Sequence, residues 1–122
     1  GNLLMSIFFE INTTTSIKNI TFKNCEIIRK SIQKFTKNKI KIKPPNDLLI
    51  NKEKICGILQ ETFFQNKKKF IVVGVGLNLV KSPKIKKYPT NYLNKYTSKN
   101  ISKLMLFRSI KYLYEKKINY LI

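Results

Sequence analysis

Residues 48–78, LLINKEKICGILQETFFQNKKKFIVVGVGLN, decide the fold because they contain three strand-like runs separated by short polar turns. Leu48–Ile50 and Lys54–Phe64 lie on either side of Asn51-Lys52-Glu53 and predict a hairpin. A third run, Phe70–Asn78, follows a second polar turn. Strands that are adjacent in sequence and joined by such short turns pair antiparallel, so this stretch predicts a three-stranded meander.

The segments before the meander predict two strands and a helix. Leu3–Ile11 is apolar nearly throughout and predicts a strand buried on both faces. Lys39–Lys43 alternates lysine with isoleucine and predicts a strand with one wet face, which the prolines that follow it end. Between these strands, apolar residues at helical spacing predict a helix whose buried stripe is Phe22, Cys25, Ile28, Ile32 and Phe35.

The segment after the meander predicts a loop and a second helix. Leu79–Asn100 is polar and contains two prolines, which indicates a loop with one helical turn near Tyr92. The last helix has Ser102 as its N-cap, and its apolar stripe is Leu104, Phe107, Lys111, Tyr114, Ile118 and Leu121. The whole order predicts an α+β fold, a mixed, mostly antiparallel sheet with helices packed on one face.

The uncovered face of this sheet is the predicted binding surface, because it stays partly apolar and exposed. Simple alternation along the strand from Lys54 places Ile55, Gly57 and Leu59 on one face and Lys54, Cys56 and Ile58 on the other. A single lysine then lies on an otherwise apolar face. This placement indicates a ligand site at Lys54.

The composition narrows the classes of function. The 122 residues contain no His and only six Asp or Glu, which argues against a zinc site or a His-based triad. Cys25 and Cys56 lack metal or redox spacing and are interpreted as buried free thiols. Without a membrane-length apolar run or an export signal, the chain is expected to be cytoplasmic, with no membrane partner. The net charge of +19 raises nucleic acid as a partner, but the lysines are spread along the whole chain, so nucleic acid is not the expected one.

Four motifs carry a resemblance to a known family. They are GNLLMS at 1–6, KPPND at 43–47, KICGILQE at 54–61 and GVGLN at 74–78. Their order and gaps are similar to the G-N-L-Y-x-S, K-W-P-N-D, K-[ILV]-x-G-I-L-x-E and G-[IVA]-G-[IL]-N signatures of biotin protein ligases. On this resemblance the chain, 1–122, is a partial catalytic domain that lacks the preceding biotin-loop segment and the small C-terminal domain.

The resemblance implies ATP-dependent attachment of biotin to a lysine of a carrier protein through biotinyl-AMP. It implies ATP and Mg²⁺ as cofactors and the biotin carboxyl carrier domain of a carboxylase as the partner, and it leaves a homodimer open. The implied catalytic residues are Lys54, as the cation at the biotin carboxylate and phosphate, and Asp47, which orients the acceptor lysine or else caps the turn. The implied binding residues are Lys43, Asn46, Lys54, Gly57, Ile58, Gly74 and Asn78, with magnesium near Asn78 and no protein ligand assigned to it.

Departures from the family pattern leave alternatives open. Pro44 stands where the family has Trp, and the chain begins after the G-R-G-R-x-G loop and an earlier Ser-Thr strand that hold biotin in the family. The isolated chain is therefore expected to be a fragment with little or no activity. The alternatives are a lipoate ligase or octanoyl transferase of the same superfamily, an inactive remnant, and a basic nucleic-acid-binding module.

Overall fold

The computed structural model describes residues 1–121 and contains a five-stranded sheet and two long helices. The elements are β1 Leu3–Ile11, α1 Ile17–Gln33, β2 Lys41–Lys43, β3 Asp47–Ile50, β4 Glu53–Gln65, β5 Lys68–Leu77, a 3₁₀ turn at Leu93–Tyr96, and α2 Lys103–Leu121. The strands are paired in the order β1-β5-β4-β3-β2, each antiparallel to its neighbour. Parallel pairing in these residues is confined to one bridge, between Lys54 and Thr90. The predicted α+β class is confirmed.

The two hairpins of the meander are closed by two-residue turns. Asn51 and Lys52 have φ values of 51° and 65°, and Asn66 and Lys67 have values of 52° and 66°. Left-handed backbone at both central positions matches the twist of the flanking strands, and Asn adopts it readily. The meander is confirmed, with turns shorter than the polar stretches in the sequence.

The core lies between the helices and one face of the sheet. It is built from aliphatic side chains, including Ile20, Ile28, Ile32, Leu48, Ile50, Ile71, Val73, Leu106 and Ile110. The buried polar groups are paired. Tyr114 donates a hydrogen bond to Oδ1 of Asn24 at 2.8 Å, and Nδ2 of Asn24 donates to Oε1 of Gln60 at 3.0 Å. This chain links α2 through α1 to β4, so the helices are fixed on a single face.

Three details of burial differ from the sequence prediction. Strand β1 alternates rather than being buried on both faces, with Leu4 84% and Phe8 58% exposed, because the helices cover only one side of the sheet. Helix α1 begins at Ile17, with Ser16 as its N-cap, and Phe22 of the predicted stripe is 54% exposed. The true stripe includes Asn24 and the buried Ser31, whose hydroxyl donates to the backbone of Ile28.

Helix α2 also buries a stripe that differs from the predicted one. Leu104, Phe107 and Lys111 are exposed, although the sequence placed them on the buried stripe. Ser109 is buried instead, because its hydroxyl donates to the carbonyl of Ser31 at 2.6 Å, where the two helices meet. The predicted cap is confirmed, since Oγ of Ser102 accepts from the backbone N–H of Met105 at 3.2 Å. Neither α1 nor α2 combines the length and apolarity that a membrane span requires.

Candidate functional site

A β-bulge positions Lys54. Leu48 pairs with Cys56 while Leu49 pairs with Lys54, so Ile55 has no partner in the β3–β4 ladder. Ile55 and Cys56 are both buried, and a Cβ built on Gly57 would lie 3.2 Å from Nζ of Lys54. Alternation had put Lys54 on the face opposite Gly57, and that prediction is wrong. Because of the extra residue, the lysine side chain lies on the face of the sheet that the helices leave uncovered, which we call the open face.

Two glycines form the floor of a groove on this open face. The register places Leu4, Gly76, Gly57 and Asp47 in one row across β1, β5, β4 and β3. The groove has a volume of about 970 Å³, and Leu4, Leu59, Ile85 and Tyr88 are among the side chains that line it. A ligand in this groove would lie on backbone at its centre and against apolar side chains at its sides.

Lys54 and Asp47 form an ion pair at the end of the glycine row. Nζ of Lys54 lies 3.2 Å from Oδ1 of Asp47, and the two side chains are 25% and 28% exposed. Nζ also lies 5.2 Å from the centroid of the Tyr88 ring. Burial lowers the pKa of Lys54, but the hydrogen bond and charge of Asp47, together with Tyr88, outweigh it and hold the pKa above its usual value. The ammonium therefore stays charged at neutral pH.

The loop from residue 79 to 92 forms one wall of the groove and is fixed at both ends. At its start, Oδ1 of Asn2 accepts hydrogen bonds from the N–H groups of Leu79 at 2.9 Å and Val80 at 3.0 Å. At its end, the N–H of Lys54 donates to the carbonyl of Pro89 at 3.0 Å, and the N–H of Asn91 donates to the carbonyl of Lys54 at 2.9 Å. The loop thus holds the backbone of Lys54 in place.

This wall was missed by the sequence analysis. Ile85 and Tyr88 line the groove, yet neither belongs to a motif. The available signal was the presence of large apolar side chains in a segment bounded by Pro83 and Pro89. That signal does not indicate which strand the loop crosses.

A hydrogen-bonded cluster next to Lys54 secures the same loop. Nδ2 of Asn91 donates to Oε1 of Glu53 at 2.9 Å, and the Tyr96 hydroxyl donates to the same oxygen at 3.1 Å. The hydrogen bond from Asn91, followed by that from Tyr96, lowers the pKa of Glu53. Because Glu53 precedes Lys54 in the chain, this cluster ties the loop to the strand that carries the ammonium.

The structure brings most of the predicted site residues together. Asn46, Gly74 and Asn78 line the groove with Lys54, Asp47 and Gly57. The carbonyl of Asn46 accepts from the N–H of Ile58 at 2.9 Å, and Nδ2 of Asn78 donates to the carbonyl of Asn91 at 3.2 Å.

Two predicted site residues are placed differently. The side chain of Ile58 is 2% exposed and packs in the core, so only its backbone can border the groove. Lys43 pairs with Asp47 across β2 and β3, but it is exposed on the edge strand, outside the groove lining.

The described residues do not build a metal cage. Among residues 1–121, no three His, Cys, Asp or Glu side chains are grouped so that they could hold a metal ion. The oxygen-bearing side chains of the groove include one carboxylate, Asp47, and the amides of Asn46 and Asn78. Such a set suits a cation that arrives with most of its ligands already supplied by phosphates and water.

Comparison with known proteins gives matches at the level of family and fold. The sequence profile of the biotin/lipoate A/B protein ligase family matches residues 1–78. No curated protein matches by sequence. The fold is similar to biotin protein ligase from Leishmania major in complex with biotinyl-5-AMP, with a TM-score of 0.73 and 16% identity over 93% of this chain and 53% of that one.

Two further structures are similar. Biotin protein ligase from Aquifex aeolicus in complex with biotin and ATP has a TM-score of 0.66 and 20% identity over 93% of this chain and 51% of that one. LipL1 from P. falciparum in complex with lipoate has a TM-score of 0.66 and 22% identity over 98% of this chain and 35% of that one. The chain thus spans about half the length of the biotin ligases it matches. Since the family profile covers 78 of the 122 residues, the chain belongs to the biotin/lipoate A/B protein ligase family.

Proposed function

We propose that residues 1–122 are part of the catalytic domain of a biotin protein ligase, and that the complete protein biotinylates a carrier domain. In the first step, the biotin carboxylate attacks the α-phosphate of ATP and pyrophosphate leaves. In the second step, a lysine amine of the carrier attacks the acyl carbon of biotinyl-AMP and AMP leaves. The observation that carries the proposal is the Lys54–Asp47 pair, 3.2 Å apart, at the end of a floor made of two glycines.

Lys54 is the proposed electrostatic catalyst of the first step. Negative charge concentrates around the α-phosphate as the carboxylate attacks, so a fixed cation there stabilises the transition state more than the ground state. The bulge aims Lys54 at the open face, and the loop holds its backbone through Pro89 and Asn91. Because the backbone of Lys54 is fixed in this way, only the end of its side chain has to move during the reaction.

Asp47 is the proposed partner of the incoming amine in the second step. An ammonium cannot attack a carbonyl, and a carboxylate beside it can orient it and accept its proton. In the free protein the carboxylate is paired with Lys54. When Lys54 turns toward the adenylate phosphate, Asp47 becomes available to the acceptor lysine. Its Oδ1 lies 3.2 Å from Nζ of Lys54 in the groove, which supports this role over that of a turn cap.

The groove offers few protein ligands for the magnesium ion that accompanies ATP. Nδ2 of Asn78 donates to Asn91, which leaves its amide oxygen to contact a metal-bound water or a phosphate. Magnesium usually keeps several waters and takes its remaining ligands from one or two carboxylates and substrate phosphates. We therefore propose that the ion is held by the phosphates of ATP, with Asn78 as an outer contact. The ion, when bound, neutralises charge on the leaving pyrophosphate.

Biotin is preferred over lipoate as the proposed acid. The KPPND and GVGLN motifs resemble those of the biotin enzymes. The alternative, a lipoate ligase or octanoyl transferase, is supported by the similarity to lipoate-bound LipL1.

The test is an activation assay on the full-length protein. We expect biotin-dependent exchange of labelled pyrophosphate into ATP, and a mass gain of one biotin on a carrier domain when Mg²⁺ is present. Lipoate replaces biotin in a parallel reaction, and ATP is omitted in the control. Activation of lipoate alone would establish the alternative, and activation of neither acid would overturn the proposal.

The chain of residues 1–122 is assayed in the same way. It is expected to give little or no biotinylation on its own. A mass gain of one biotin on the carrier with this chain alone would overturn the expectation that it is a fragment.

A further inference from the structure

The ring of Tyr88 lies close to the ammonium group of Lys54 in the groove on the open face. The ring centroid is 5.2 Å from Nζ, within the distance of about 6 Å at which an aromatic ring face attracts a lysine ammonium. The Lys54 side chain is 25% exposed, and both residues line the groove. The contact is therefore partly withdrawn from water, where this attraction is stronger than on an open surface.

Hydrogen bonds between two backbone segments bring the ring and the ammonium together. The N–H of Lys54 donates to the carbonyl of Pro89 at 3.0 Å, and Thr90 forms a parallel bridge with Lys54. The Thr90 hydroxyl in turn donates to the carbonyl of Pro83 and closes the loop that carries Tyr88. Because the residue that follows Tyr88 is bonded directly to the backbone of Lys54, the two side chains start from adjacent points of the fold.

A pair of the same kind on α2 provides a contrast. Nζ of Lys116 lies 5.9 Å from the centroid of the Tyr112 ring, and Tyr112 is 64% exposed. Residues four apart on a helix meet whatever the rest of the fold does. Lys54 and Tyr88 are separated by 34 positions, so their contact depends on the path of the loop.

The ring of Tyr88 and the carboxylate of Asp47 restrain the same ammonium in different ways. Asp47 pairs with Lys54 at 3.2 Å and offsets much of its charge. An aromatic ring attracts a cation through its quadrupole and leaves the net charge of the cation unchanged. Charge that develops on a phosphate during the reaction is stabilised by the charge that remains on the cation. A ring can thus hold Lys54 in place without weakening its action on the phosphate.

Three segments of the chain enclose the end of the Lys54 side chain. A Cβ built on Gly57 in β4 would lie 3.2 Å from Nζ, Oδ1 of Asp47 in β3 lies 3.2 Å from it, and the Tyr88 ring stands on the side of the loop. In the proposed second step, Asp47 turns to the acceptor lysine. A restraint on the ammonium that survives this change has to come from the ring and the floor.

We propose that Tyr88 is a positioning residue of the proposed reaction, and that its ring keeps the Lys54 ammonium over the glycine floor of the groove, also while Asp47 is engaged with the acceptor amine. The inference rests on the proposed function, because it takes Lys54 as the cation at the α-phosphate. It gives Tyr88 no contact with the reacting atoms. The ring acts on the rate only through Lys54.

The test compares Tyr88→Leu, which removes the ring, with Tyr88→Phe, which keeps it, in the full-length protein. In biotin-dependent pyrophosphate exchange, Tyr88→Leu is expected to lower kcat about tenfold, which corresponds to the loss of one cation–π contact partly withdrawn from water. KM for biotin and for ATP is expected to stay unchanged. Tyr88→Phe is expected to keep the wild-type rate. Equal losses in the two variants would overturn the proposal, because the ring face would then not be the cause.

A double-mutant cycle separates positioning from direct contact with the ligand. In a Lys54→Ala background, Tyr88→Leu is expected to cause no further loss, because the group on which the ring acts is gone. The same tenfold loss in that background, or a rise in KM, would show that Tyr88 contacts the ligand itself and would overturn the proposal. Tyr112→Leu is the matched control, since it removes a ring from the Lys116 pair on α2, and it is expected to keep the wild-type rate.

An NMR measurement keeps this inference distinguishable from the proposed function. The protein is labelled at the Cε carbons of lysine, and the signal that is missing from Lys54→Ala is assigned to Lys54. A ring face near the ammonium shifts the neighbouring Hε protons upfield. We expect this shift in the wild type and in Tyr88→Phe, and its loss in Tyr88→Leu.

The NMR result is interpreted independently of activity. The expected pattern supports the placement of the ammonium by the ring even if the wild type activates neither biotin nor lipoate, an outcome that would reject only the proposed chemistry. A Lys54 signal at the same position in all three proteins would overturn the inference, whatever the activity.

Discussion

The Nζ atom of Lys54 lies 3.2 Å from Oδ1 of Asp47, and the pair owes this geometry to a single extra residue in β4, Ile55. Without the bulge, strict alternation would place the lysine on the helix-covered side. Ion pairs with this degree of exposure contribute about 0–1 kcal/mol to stability. The pair therefore contributes little to the stability of the fold, which is consistent with the chemical role proposed for it.

Replacing Lys54 with Ala is expected to slow adenylate formation by at least about 10²-fold, the loss typical of one preorganised electrostatic group. The rate is measured as biotin-dependent pyrophosphate exchange in the full-length protein. Lys68→Ala removes an equal charge from the exposed hairpin and serves as the control. A rate for Lys54→Ala close to that of the control would contradict the role given to Lys54.

The Asp47→Asn variant keeps the shape of the side chain and removes its charge. Transfer of biotin from preformed biotinyl-AMP to the carrier is expected to fall by about 10²-fold, because general base catalysis is worth about 10²–10⁴-fold. Single-turnover kinetics measure this step apart from adenylation. The pKa of Lys54 should also fall, since the groups that raise it include Asp47 and burial acts in the other direction. A normal rate of transfer in this variant would show that Asp47 acts only as a turn residue.

A methyl group added at Gly57 would meet Lys54 directly. The new Cβ would lie 3.2 Å from Nζ and 3.3 Å from Cε, so the flexible end of the lysine must move. Leaving a preferred rotamer costs about 0.5–1.5 kcal/mol, and Gly57→Ala should therefore slow adenylation by up to about tenfold. Gly74→Ala tests the specificity of this effect, because its Cβ would meet the Leu59 carbonyl at 3.7 Å, an ordinary contact. An equal loss of adenylation rate in the two variants would show that any methyl group added to the groove slows the reaction, and that displacement of Lys54 is not the cause.

Glu53 makes the stability of the fold sensitive to acid. Its pKa lies below the ordinary 4.5 because Asn91 and then Tyr96 donate hydrogen bonds to the carboxylate. The folded state thus favours the charged form, and this stabilisation is fully present above about pH 4.5 and is lost as the pH falls through the lower folded-state pKa. In urea titrations, the difference in unfolding free energy between wild type and Glu53→Gln should shrink as the pH falls below about 4.5 and through the lowered folded-state pKa. A difference that stays constant over this pH range would rule out the linkage.

The two cysteines should be inert in the folded protein. Burial, together with the charge of Asp47, raises the pKa of Cys25 to about 11, and burial raises the pKa of Cys56 further. Since the thiolate is the reactive form, neither thiol should react with Ellman's reagent at about pH 8. Unfolding in urea should release two equivalents. Rapid reaction of either cysteine under native conditions would show that its sulfur atom is accessible to the reagent and contradict the prediction.

Local sequence signals predicted the elements that depend on near neighbours. The meander from residue 48 to 78 followed from alternation and polar turns, and the Ser102 cap followed from its position before an apolar stripe. The gathering of Asp47, Lys54 and Gly57 was expected from motif resemblance, and the register places them together. These features are set by a few consecutive residues, so the sequence contains enough information to predict them.

Features set by tertiary packing escaped prediction. The bulge at Ile55 depends on how β3 and β4 pair, and alternation therefore assigned Lys54 to the wrong face. Phe22 was placed in the core because apolar periodicity does not tell which of two neighbouring stripes meets the sheet. Tyr88 was overlooked because its proximity to Lys54 arises from a loop that crosses 34 residues further along the chain.

The glycine row has a consequence for how ligand preference could differ among members of this family. With no side chains projecting from Gly57 and Gly76, the floor offers the same surface to a fused bicycle as to a straight hydrocarbon tail. Discrimination between acids must then come from the rim, which includes Leu4 and Ile85. Relatives with different acyl preferences are thus expected to share the bare centre and to diverge along its border.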